Sequence, residues 1–181
     1  IRFFLNAYKR GVRDWWKTTF YDKTQCVFEA EDFEFTDIAI GDLDAKPGNE
    51  IALVTARGLS IYRYDRADEN LELIGSRASF LDEAILHLRA VGLADLDGDR
   101  VREILVLGNE WKDGAEVENK GWLVIVKVDG GQLRVVRSAA IDANVSPQSL
   151  RTGDVVPGGG PEVVIPIYRA MPSGGRSIAV A

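Results

Sequence analysis

Residues 94–107 read ADLDGDRVREILVL, and two further stretches align with them without a gap: GDLDAKPGNEIALV at 41–54 and GDVVPGGGPEVVIP at 153–166. Each copy places an Asp (Asp42, Asp95, Asp154) eight residues before a Glu (Glu50, Glu103, Glu162). An aliphatic run follows each Glu: Ile51 to Val54, Ile104 to Leu107 and Val163 to Ile165. Such uninterrupted runs are expected of strands buried on both faces. The Asp positions lie 53 and 59 residues apart, so each copy has room for one supersecondary unit.

The segments between the copies read as strands. In the first unit Gly58 opens LSIYRYD (59–65), a turn follows at 66–70, and LELIGSRA (71–78) closes the unit. In the second, GWLVIVKVDGGQLRVVRSA (121–139) reads as strand, Asp-Gly-Gly turn, strand, a hairpin signal. With an entry strand before each Asp loop, a unit holds about four strands. Helical periodicity is convincing nowhere, and FLDEAILHL (80–88) is too short to decide between a turn of helix and a strand. Four-stranded units at this spacing predict an all-β chain, a β-propeller segment of about three blades. The expected divisions are 1–34 as the last strands of a preceding blade, 35–80 and 81–140 as whole blades, and 141–181 as an incomplete one. Fewer than four blades do not close, which predicts a piece of a larger propeller or a subunit completed by other chains.

The Asp loops resemble FG-GAP/VCBS repeats, the integrin-α-like propeller family, whose loops follow D-x-D-G-D-G-x-x-[DE]. DLDGDRVRE at 95–103 is the best copy, and the resemblance covers roughly residues 35–170. It implies a seven- or eight-bladed propeller, Ca2+ in the loop joining the first two strands of a blade, and an extracellular, cell-surface or periplasmic setting. Calcium takes hard oxygen ligands, and alternating carboxylates on a tight loop supply them. In the second loop Asp95, Asp97, Asp99 and Glu103 are the expected ligands, with the Val101 carbonyl between them. Arg100 stands where the family has Gly, at a position that calls for a positive φ. The non-metal alternative is a solvated acidic turn with Arg100 and Arg102 as counterions. The first loop keeps Asp42, Asp44 and Glu50, but Lys46 stands at the third ligand position and could neutralise it from within. In the third loop only Asp154 and Glu162 remain, and a metal-free Gly-rich turn is expected.

Composition narrows the function. The chain of 181 residues has 22 Lys and Arg against 28 Asp and Glu, a net charge of −6, which disfavours nucleic acid and anionic membranes. No apolar stretch is long enough for a membrane-spanning helix. One cysteine, Cys26, excludes an intrachain disulfide, and one histidine, His87, excludes two-His metal motifs. The chain starts at Ile1 without a Met, which reads as a processed chain or a piece of a longer one.

Other residues weigh less. Trp111 lies in NEWKDGAEVENKG (109–121), read as the longest interior loop, and is the candidate ligand-binding anchor. Trp15 and Trp16 suit strand packing, His87 a structural role, and Asn144-Val-Ser146 is a glycosylation sequon with Pro147 directly behind it. The expected function is a non-enzymatic, calcium-stabilised module for surface protein binding, adhesion or self-assembly. The alternative is a carbohydrate-active propeller, a lectin or a polysaccharide lyase, and rests on the resemblance and on Trp111.

Overall fold

The computed structural model describes residues 35–56, 58–65, 70–146, 150–154, 160–170 and 176–180. Within them the chain is all-β, built from antiparallel sheets, with no helix. Strands β1 (Phe35–Gly41), β2 (Glu50–Thr55), β3 (Gly58–Asp65) and β4 (Asn70–Arg77) form one sheet in chain order. Strands β5 (Ile85–Ala94), β6 (Glu103–Lys112), β7 (Ala115–Asp129) and β8 (Gln132–Ile141) form a second in the same order. The third region is more broken. There β10 (Arg151–Gly153) pairs with β11 (Glu162–Val164), while β12 (Pro166–Ala170) lies between β9 (Asn144–Val145) and β13 (Arg176–Val180). Pro166 has no N–H to give to a ladder, so it stands at the start of β12, where that loss costs least.

Strand periodicity explains the layers. Along β6, Ile104 and Val106 join a core against the first sheet, whereas Leu105 and Leu107 join a second core against the third region. The middle sheet is thus buried on both faces, and a continuous aliphatic run is what such a strand requires. The first core draws Ala52 and Val54 from β2 and Leu59 and Ile61 from β3, with Leu88 and Val91 from β5 and Val124 and Val126 from β7. The second closes over Ala143, Val145, Leu150, Ile165 and Ile167.

Polar contacts set how the sheets meet. β5 is irregular between Leu88 and Ala90, and Val91 N–H nearby donates to Asp37 Oδ2 of β1 at 3.0 Å. Leu88 N–H donates to the Ala56 carbonyl at 3.2 Å. On the other face Asn109 Oδ1 accepts from Val145 N–H at 2.8 Å, which fixes β9 against β6. Bulged strands leave ladder groups free for such cross-sheet use.

One open reading is decided and one expectation changes. Residues 80–88 hold no helical turn: Phe80 is buried in the connection, and from Ile85 the chain is already strand β5. Leu86 and Leu88 point inward at period two, so packing on the first sheet decides the conformation. Nor is 109–121 a loop. β6 continues to Lys112, Asp113 and Gly114 turn with φ of 52° and 84°, and β7 starts at Ala115. The Asp-Gly pair makes this a tight hairpin, as Gly130 and Gly131 (φ 56° and 84°) do between β7 and β8.

Gly121 marks the tightest backbone approach to the third region, since a Cβ there would sit 2.5 Å from the Ala143 carbonyl oxygen. Gly121→Ala should therefore lower stability by about 1–3 kcal/mol in urea unfolding, the usual cost of overpacking. Gly153→Ala, with open space around it, should change it far less.

Candidate functional site

The first two Asp loops occupy the same place in their sheets. Residues 42–49 join β1 to β2, and 95–102 join β5 to β6. Carboxylate oxygens of Asp42, Asp44 and Glu50 gather within 4.8 Å of one another, as do those of Asp95, Asp97 and Asp99, and either group could hold a metal ion. In the third loop Asp154 is exposed, and residues 155–159 lie outside the described residues.

Both loops close in the same way. Glu50 is fully buried, and its Oε2 accepts from Leu43 N–H at 2.8 Å. Glu103 is buried likewise, and its Oε2 accepts from Leu96 N–H at 2.7 Å. The leading carboxylates fold the turn. Asp42 Oδ1 accepts from Ala45 N–H, and Asp44 Oδ1 from Lys46 N–H. Asp95 accepts from Gly98 and Arg100 N–H, Asp97 Oδ1 from Asp99 N–H, and Asp99 Oδ1 from Val101 N–H. Arg100 has φ of 72°, a left-handed conformation that Gly adopts more easily. The loops also touch, since Arg102 N–H donates to the Asp42 carbonyl at 3.0 Å.

The positive charges come from residues that the sequence reading passed over. In the first loop Arg63 of β3 bonds Glu50 Oε1 through Nε (3.0 Å) and Nη2 (2.9 Å), and Asp44 Oδ2 through Nη2 (2.5 Å). Lys46, the expected neutraliser, reaches Asp44 only at 3.7 Å and stays exposed. In the second loop the counterion is Lys127 of β7, not Arg100 or Arg102. Its Nζ lies 2.6 Å from Asp97 Oδ2, 3.1 Å from Asp99 Oδ2 and 2.8 Å from Glu103 Oε1. Arg63 is the cross-strand partner of Glu50, and Lys127 adjoins Val126, the partner of Ile104. A shared pattern was there to find: Tyr62-Arg63-Tyr64-Asp65 and Val126-Lys127-Val128-Asp129 both place a basic residue two positions before an Asp.

These contacts bias the titrations. Burial raises the Asp44 pKa, but its bonds to Arg63 and the Lys46 amide outweigh that and hold it below 3.8. Burial disfavours the Arg63 charge, yet bonds to Asp44 and Glu50 raise its pKa overall. Lys127 holds Asp97 low, and contacts with Asp97, Glu103 and Asp99 raise the Lys127 pKa.

The fit to a metal ion differs between the loops. In the first, Asp44 and Glu50 already bond the planar Arg63 guanidinium, so an added cation fits only where that guanidinium moves aside. In the second, Asp95, Asp97 and Asp99 could hold one where the Lys127 ammonium moves aside, while Glu103 contacts that ammonium and the Leu96 amide. Val101 stands in that loop with its N–H on Asp99.

The remaining candidates separate from this site. Trp111 sits on β6, half-buried, edge-on to His87 with ring centres 4.9 Å apart. His87 Nδ1 lies 3.2 Å from Glu116 Oε1, which also pairs with Arg89 Nη2, while Asn109 Nδ2 donates to Glu116 Oε2 at 3.1 Å. His87 therefore ties the β6–β7 hairpin to β5. The sequon residue Asn144 is buried and accepts from Asn119 N–H at 2.7 Å, so its amide is committed to packing. Trp15, Trp16 and Cys26 lie outside the described residues. No protein-family model matches the chain, and comparison with curated proteins finds no relative.

Arg63→Met should cost about 3–5 kcal/mol in chemical unfolding, because it strands the buried Glu50 charge. Lys46→Met, at an exposed pair, should cost no more than about 1 kcal/mol. The acid limb follows from Asp44. A carboxylate held below its ordinary value stabilises the fold above pH 3.8, and that stabilisation is lost as pH falls through the depressed folded value. Stability measured from pH 5 to pH 2 should therefore fall more steeply in the parent chain than in Arg63→Met.

Proposed function

We propose that the chain is a segment of a β-propeller of the FG-GAP/VCBS type, acting outside the cell as a non-enzymatic module for protein binding, adhesion or assembly. One observation carries this reading. The acidic loop recurs between the first two strands of successive four-stranded antiparallel sheets, closed each time by a buried Glu on the same backbone amide. The stacking supports it. The two four-stranded sheets pack face to face, and β2, like β6, is buried along its length at residues 50–54. Ile51 and Leu53 alternate with the core residues Ala52 and Val54, so the first sheet is apolar on both faces. A sheet buried on both faces within the chain suits the interior of a stack of blades.

Calcium belongs to this reading at the second loop, held by Asp95, Asp97, Asp99 and Glu103 with the Val101 carbonyl. Its part there would be structural, pinning the loop to the start of β6. This reading leaves calcium out of the Asp42, Asp44 and Glu50 loop, where Arg63 bonds Asp44 and Glu50. The carbohydrate reading has less support, since the Trp111 ring packs against His87 within the hairpin.

Thermal unfolding in millimolar calcium against EDTA should show a higher midpoint, and Asp97→Ala should abolish the rise. A polysaccharide array probed with the intact chain should stay at background. Saturable glycan binding lost in Trp111→Ala, or release of an unsaturated sugar, would replace this reading with the carbohydrate one.

A further inference from the structure

Each of the first two acidic loops already contains a cation carried by its own sheet. We propose that Arg63 and Lys127 are tethered cations, delivered by the third strand to the place a divalent ion would take, and that Lys127 is the displaceable one. This deepens the calcium reading above and rests on it only for the identity of the competing ion.

The two loops differ in how firmly the cation is seated. Arg63 makes three bonds to two carboxylates from a rigid planar fork, one of them on a Glu with no exposed surface. Arginine holds its charge under all ordinary conditions, and its fork matches carboxylate geometry. Lys127 offers a single ammonium on a flexible stem, shared among three carboxylates. Two of these, Asp97 and Asp99, are 52% and 47% exposed, so solvent can reach them when the ammonium leaves.

Charge balance points the same way. Two carboxylates in the first loop, Asp44 and Glu50, face Arg63, with Lys46 more distant and Asp42 beside them. Three in the second, Asp97, Asp99 and Glu103, face one ammonium, and Asp95 adds a fourth charge beside them. The surplus negative charge is partly buried, because the Glu103 side chain is 3% exposed. Its Oε1 accepts no well-aligned hydrogen bond and relies on the ion contact with Lys127. A divalent ion would bring two charges where Lys127 brings one, to a group of hard oxygen ligands that suits calcium. The second loop is thus closed when calcium is scarce and exchangeable when it is abundant. The first is closed under both conditions.

The test uses the full chain, with calcium chloride titrated calorimetrically and thermal unfolding followed in EDTA and in calcium. Lys127→Met and Lys127→Gln should lower the midpoint in EDTA, and calcium should restore it. Their calcium dissociation constants should fall roughly tenfold or more below the parent value, the scale of one charged contact no longer competing. Lys127→Arg should keep the EDTA midpoint and bind calcium more weakly than either neutral variant. If the neutral variants fold only in calcium, that rescue supports the proposal, and failure to fold in both conditions overturns it. An unchanged EDTA midpoint, or a dissociation constant equal to the parent's, overturns it as well. The two readings fail separately. A parent chain indifferent to calcium beside responsive neutral variants removes calcium from the parent's function and overturns the displaceability of Lys127, while upholding it as the loop's tethered cation. A responsive parent beside variants that bind no tighter does the reverse.

Discussion

The buried carboxylate at the start of the second strand is the constraint on which the rest of each sheet depends. Glu50 and Glu103 have little or no exposed surface, and a carboxylate in that position is tolerable only when its oxygens are matched. One oxygen takes the amide at the second position of the loop, and the other faces a basic side chain on the third strand. Three pieces of chain are thereby tied together: the acidic loop, the strand it enters, and the strand that returns beside it. Exchanging such a pair for apolar residues could leave stability unchanged, but losing one member strands the other. The contact therefore fixes loop geometry and register more than it adds net stability.

From that anchor the sheets join through a few polar bonds set among apolar surface. The second loop donates Arg102 N–H to the carbonyl of Asp42 in the first, so neighbouring acidic loops are aligned by backbone. Asp37 and Asn109 perform the same task further along, each accepting a backbone N–H from the next sheet at a place where strand pairing is irregular or ends. Between these points Leu105 and Leu107 face one way and Ile104 and Val106 the other, which lets one strand serve two cores. The His87, Arg89, Asn109 and Glu116 group then fixes the β6–β7 hairpin, against which Asn144 docks.

The resemblance to calcium-loop propellers and the geometry of these loops share an electrostatic problem. Closely spaced carboxylates repel unless a cation intervenes, and a metal ion is only one possible cation. Here a guanidinium and an ammonium stand among the acids, brought there by strand pairing. The Asp side chains that would face a metal also cap backbone N–H groups in their own turn, so the loop keeps its shape through local hydrogen bonds.

Much of the fold is local and was legible in the residues. Period-two burial, uninterrupted aliphatic runs and Asp-Gly-Gly at 129–131 identify an all-β chain with hairpins, because strand conformation and tight turns depend on neighbours in sequence. The eightfold offset between Asp and Glu likewise marks each loop and the strand after it. Residues 80–88 were ambiguous because Leu86 and Leu88 suit either period until the sheet they pack on is known. Residues 109–121 misled because a polar hairpin that rises beyond the core has a loop's composition, although Asp113-Gly114 carried the turn signal. Arg63 and Lys127 could not be assigned from spacing alone. They lie 13 and 24 residues beyond their glutamates, and only antiparallel register brings them opposite. The sequence by itself determined the strands, the turns and the acidic loops. Tertiary structure alone decided which cation neutralises each loop, because that choice is made across strands, where distance along the chain carries no information.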